Sequence, residues 1–281
     1  MNQLPTFVPY LLRVAAVTLG QLLTLFGPGL LLVALISLLS GHVARQAGRA
    51  LGWGLYVLLF GWLGTFVHEA GHAIMAMLFG FPISQFKVLP YGPYARQQGF
   101  IAIPRDESNP LKKIGYFFIG IGPIVFGALL IYAALLILFE GELRSFLANL
   151  RATSSAGDPA RGFDDMIGQT LAYSLGLLAF VFQPAHWLDW RFYLFLYIAF
   201  SIGSSIQLSK PDIDGSKEGF FVIVVFWLAF NLVALASSGL TAGSLAWLSQ
   251  SFAFFYAILA VVLLLNLFAA LVLFLPAAAR H

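Results

Sequence analysis

There is no cysteine among the 281 residues. That excludes a disulfide framework and any thiolate metal site, so a bound metal must be held by His, Asp or Glu. Charge is scarce as well. Only 10% of the residues are Asp, Glu, Lys or Arg, against about 25% in an ordinary soluble domain. A chain this poor in charge and 60% hydrophobic lacks the polar surface of a soluble enzyme. The fifteen Lys and Arg residues leave a net charge of +3, but they are scattered over connections without a basic cluster, so no nucleic-acid partner is expected. There is no repeat at a solenoid period. No basic stretch precedes the first apolar run, which Arg13 interrupts, so no cleaved signal peptide is expected.

What fills the chain instead is a series of apolar runs of about the length a bilayer requires, roughly 20 residues each. They predict an all-α polytopic membrane protein: one domain over 1–281, a bundle of about seven transmembrane helices, multi-pass in the lipid bilayer and expected in the cell membrane. Gly27-Pro28-Gly29 and Arg13 divide the first run into an interfacial helix near 5–19 and a span near 21–40, with a short basic loop over Gly41 to Arg49. A second span covers 51–79. Two short strands, 86–90 and 99–103, follow around the turn residues Tyr91-Gly92-Pro93-Tyr94 and predict a membrane-associated β-hairpin. A third span covers 112–139, with Pro123 as the expected kink. The polar stretch 140–166 reads as a solvent loop. Further spans are expected near 167–184, 192–207, 219–237 and 245–275, with an interfacial turn around His186-Trp187-Leu188-Asp189-Trp190. Lys and Arg divide almost evenly between the two sides, so orientation is not set.

Inside the second apolar run lies His68-Glu69-Ala70-Gly71-His72. Ionisable side chains are expensive in lipid, which marks these residues as functional. On a helix His68 and His72 stand one turn apart on one face, where both imidazoles can reach a single zinc ion, with Glu69 beside them to handle a proton. Gly61 and Gly64 share that face and permit close approach of another helix, expected to be the one bringing the third ligand. A zinc hydrolase takes three protein ligands and keeps one position for water. The candidates for the third are Asp212 and Asp214, bracketed by Pro211 and Gly215 at a span boundary, and, more weakly, His186. The chemistry that follows is hydrolysis of a peptide bond by activated water with Glu69 as general base. Two other readings use the same residues: a non-catalytic zinc carrier or sensor, and a structural scaffold in which a His/Glu cluster joins helices.

These motifs resemble those of the site-2 protease family of intramembrane zinc metalloproteases. Gly122-Pro123 is similar to the family's Ala-Gly-Pro stretch, and Ile213-Asp214-Gly215 looks like its Leu-Asp-Gly motif. The resemblance covers about 51–140 and 205–237. It implies zinc held by His68, His72 and an Asp, Glu69 as base, and a membrane-spanning protein as substrate. The sequence departs from the family in having no PDZ module and Lys210-Pro211 in place of Asn-Pro, and in an extra helix pair near 167–207. Leu-Asp-Gly alignment favours Asp214. A Ser-x-x-Asp-x-x-Gly pattern, as in more divergent relatives, favours Asp212, and Pro211 at a helix start tips the choice slightly the same way.

Overall fold

Backbone N–H and C=O groups that enter lipid must be satisfied within the protein, and a helix does this inside one segment. The computed structural model describes residues 4–88, 99–104, 109–154, 163–236 and 246–278, and these are helical almost throughout. Helix α1 is Leu4–Leu51. Helix α2 (Trp53–Tyr56) continues through a π-helical stretch, Val57–Gly61, into α3 (Trp62–Leu78). The π-helical Leu59 carbonyl accepts a hydrogen bond from Tyr197 Oη at 2.6 Å. Strands β1 (Gln85–Lys87) and β2 (Phe100–Ala102) pair antiparallel, Phe86 opposite Ile101. Then come α4 (Pro110–Ser154), α5 (Phe163–Val181), α6 (Trp190–Gly203), α7 (Lys210–Ala236) and α8 (Ala246–Ala278). Counting α2 and α3 as one rod, that is seven helices. Among the described residues four are long and apolar enough to cross a membrane, in α1, α4, α7 and α8, and α5 and α6 are shorter apolar helices. The protein is an integral membrane protein. The expected turn at Tyr91–Tyr94 lies outside the described residues.

Several expected boundaries are wrong, each for a physical reason. Gly27-Pro28-Gly29 does not break the first run, because α1 runs through it. Proline is tolerated where neighbouring helices pack, and Gly29 there faces α8: a Cβ on it would lie 2.6 Å from the Tyr256 ring. The expected basic loop 41–49 is helical, because Val43 and Ala47 are buried one turn apart while Arg45 and Arg49 face outward. Helix α1 ends before Gly52, whose φ of +81° is open to glycine without strain. The expected solvent loop at 140 is likewise helix as far as Ser154, with Leu143 and Leu147 buried and an exposed Glu140–Arg144 ion pair one turn apart. Non-helical backbone inside α4 falls at Phe139 (φ −131°, ψ 32°), not at Pro123. The Leu138 carbonyl there accepts from Arg191 at 3.0 Å, and the Phe139 ring lies 4.6 Å from that of His186. Helix α7 begins nine residues before the expected 219, for a reason visible at its cap and described below.

Glycines set the helix crossings. A Cβ on Gly71 would lie 2.7 Å from Pro123 Cα, and one on Gly122 2.5 Å from the Gly71 carbonyl oxygen, so α3 and α4 meet backbone to backbone. Gly64 meets the end of α6, 2.2 Å from the Ser201 carbonyl oxygen by the same measure, and Gly120 and Gly219 join α4 to α7. The expectation that glycines beside the motif receive the helix carrying the third ligand is therefore corrected. They receive α4 and α6, and α4 in turn carries α7. Gly71→Ala should destabilise the fold by about 1–3 kcal/mol, because the obstacle is backbone that cannot rotate away. Gly141→Ala, with nothing within 4 Å, should be neutral or stabilising. Unfolding in detergent monitored by circular dichroism compares the two, and equal stabilities would contradict the crossing.

Candidate metal centre

The motif helix presents His68 and His72 one turn apart, and each ring is oriented by a different neighbour. His68 Nδ1 lies 2.9 Å from the Ser205 carbonyl oxygen, in the connection between α6 and α7. His72 Nδ1 lies 2.7 Å from the Ile119 carbonyl oxygen in α4, next to the close approach at Gly120. A carbonyl only accepts, so both Nδ1 atoms carry the proton and both Nε2 atoms present lone pairs. The two Nε2 atoms face one another at 3.2 Å. Asp212 enters from the first turn of α7, with Oδ1 3.3 Å from His72 Nε2 and Oδ2 4.0 Å from His68 Nε2. Three acceptors thus converge, an arrangement that favours positive charge at its centre.

The donor set fits a metal ion. With metal–ligand bonds of about 2.0–2.1 Å, the donors at two corners of a tetrahedron are about 3.3 Å apart. The separations of His72 Nε2 from His68 Nε2, 3.2 Å, and from Asp212 Oδ1, 3.3 Å, match that edge, and the second Asp212 oxygen, Oδ2, lies 4.0 Å from His68 Nε2. These three residues are the His/Asp/Glu group, among the described residues, whose ligand atoms lie close enough together to share an ion. Carbonyl partners on the far ring nitrogens are the usual means of orienting metal-binding histidines.

The family model for Peptidase M50B-like proteins matches residues 29–147. That stretch is similar to the Peptidase M50B-like domain of the site-2 protease family. It runs from within α1 to within α4, so it contains His68, Glu69, His72 and Gly122-Pro123. Together with the apolar helices, this match supports a membrane metalloprotease in general class. Asp212 lies beyond the matched residues. Neither the curated proteins nor the solved structures compared give a match.

Around the His68–His72 motif the other expected site residues separate. Glu69 is buried and its side chain makes no hydrogen bond or ion pair with the described residues. Asp214 is one-half exposed and bonded to Lys217 at 2.6 Å, outside the His68–His72–Asp212 group. His186, buried in the connection between α5 and α6, bonds Glu142 at 2.8 Å and Gln183 at 2.7 Å instead. Two contributors have no side-chain signature in the sequence, the Ser205 and Ile119 carbonyls. A third, Ser209, was visible through its Ser-x-x-Asp spacing. Its N–H and Oγ–H donate to Asp212 Oδ2 at 2.8 and 2.6 Å, while its Oγ accepts from the Asp212 N–H at 3.3 Å. This reciprocal cap starts α7 at Lys210 and places Asp212 in its first turn.

Proposed function

We propose that this protein is an intramembrane zinc protease that cleaves a membrane-embedded protein substrate, expected in the cell membrane. The observation that carries the reading is the convergence of His68 Nε2, His72 Nε2 and the Asp212 carboxylate, with both rings held in the tautomer that leaves those nitrogens free. These three residues would hold zinc. When bound, zinc supplies Lewis acidity, polarising a peptide carbonyl and lowering the pKa of water towards about 7.

The chain's own residues do the rest. Asp212 brings the one negative charge of the donor set, which offsets part of the ion's charge. Glu69 follows His68 directly on α3, and its buried carboxylate has no competing hydrogen-bond partner among the described residues, so it can accept a proton from water and return it to the leaving amine. The serine-rich end of α6 lines the His68 side, with Ser201 and Ser204 buried. The hairpin lies against α3 one turn before His68: a Cβ on Gly99 would sit 2.9 Å from Thr65 Cγ2. An extended substrate segment pairing with a hairpin edge would be presented close to the motif.

Metal removal tests the reading. Protein purified in detergent should cleave a membrane-spanning reporter, lose that activity on treatment with 1,10-phenanthroline and regain it with added zinc. Activity that persists after complete removal of metal would refute the zinc assignment.

A further inference from the structure

We propose that Ser209 is a positioning residue which occupies one oxygen of Asp212, so that the carboxylate offers a single oxygen to the metal. The proposal rests on the reading of His68, His72 and Asp212 as the metal ligands. Asp212 Oδ2 takes both Ser209 bonds, from Oγ at 2.6 Å and from the backbone N–H at 2.8 Å. The other oxygen, Oδ1, is the one 3.3 Å from His72 Nε2. Hydrogen bonds to an ionised carboxylate are the strong kind, and two on one oxygen hold the group's rotation. A carboxylate that bound through both oxygens would use a coordination position that a hydrolytic site keeps for water. By taking up Oδ2, Ser209 keeps that position free.

Ser209 is itself held in place. Its carbonyl accepts the first bond of α7, from the Ile213 N–H at 3.1 Å, so it is the helix cap. The preceding N–H, of Leu208, donates to Ser37 Oγ in α1 at 3.3 Å. Four residues before Ser209, the Ser205 carbonyl orients His68. One short connection, 205–209, therefore sets both the imidazole of His68 and the carboxylate of Asp212, and α1 anchors it.

A capping role and a positioning role predict different variants. Serine, threonine and glycine all start helices, but of these glycine alone has no hydroxyl. Zinc affinity of the full chain in detergent micelles, measured by competition with a chromophoric chelator, should fall by about 10–100-fold in Ser209→Gly and Ser209→Ala, as for other groups that hold a metal ligand. Ser209→Thr should stay within a few-fold of the wild type. Unchanged affinity in Ser209→Gly, or equal losses in the glycine and threonine variants, would overturn the proposal. His68→Ala is measured beside them. If it too keeps wild-type zinc, the metal-site reading has failed and not merely the role of Ser209.

Discussion

Replacing Glu69 with Gln should lower cleavage of a membrane-spanning reporter by about 10²–10⁴-fold, the usual contribution of a general base, while the protein keeps its metal. The substitution preserves size and removes only the ability to take a proton. Glu69 does not belong to the converging donor group, and among the described residues its side chain bonds to nothing. Neither the helix crossing nor the metal therefore depends on its charge. The comparison also separates a protease from the other class of protein that could use such a site. A metal carrier or sensor would keep its metal movement or metal-dependent binding in the Glu69→Gln protein, because only hydrolysis requires a base. Cleavage at the wild-type rate in that variant would remove Glu69 from the mechanism.

The second large effect concerns the two aspartates. Asp212→Ala should weaken zinc by more than the roughly 100-fold associated with losing a residue that only supports a ligand, and should abolish cleavage with it. Asp214→Ala should bind zinc as the wild type does. The difference follows from two residues of spacing on a helix. Asp212 stands in the first turn of α7, bonded to Ser209 and facing His72 at 3.3 Å. Asp214 lies about 200° further round the helix and pairs with Lys217 towards solvent. Deleting its charge removes an exposed ion pair worth little. Reversed results, with zinc lost in Asp214→Ala and kept in Asp212→Ala, would assign the third ligand to the wrong residue here.

The parts of this site that were legible in the sequence are those carried by side chains at fixed helical spacing. His68 and His72 at i and i+4, Glu69 between them and an Asp about 140 residues later needed no structure to find. The choice between Asp212 and Asp214 was only partly legible, since it depends on where α7 begins, and that depends on a Ser209 cap that looks like loop chemistry. The carbonyls of Ser205 and Ile119 were invisible, because any residue type supplies a carbonyl. Helix existence was legible from the apolar runs, and helix ends were not. Pro28 reads as a break but stays helical against α8. The basic stretch after Gly41 and the polar stretch after Phe139 read as loops, yet each carries a pair of apolar residues one turn apart, Val43 with Ala47 and Leu143 with Leu147. The glycine stripe on α3 announced close packing, but the partner expected from it, the helix carrying the third ligand, was the wrong one. That the partner is α4, which then holds α7, depends on tertiary contacts between Gly71 and Pro123 and between Gly120 and Ser216.

Zinc K-edge absorption on the Glu69→Gln protein tests the centre most directly, because the metal remains and substrate turnover does not complicate the spectrum. The expected result is about one zinc per chain, bound by nitrogen and oxygen alone at roughly 2.0–2.1 Å, with outer-shell scattering from two imidazoles that falls to one in His68→Ala. Substoichiometric zinc, or a spectrum without imidazole scattering, would contradict a metal centre built from His68, His72 and Asp212.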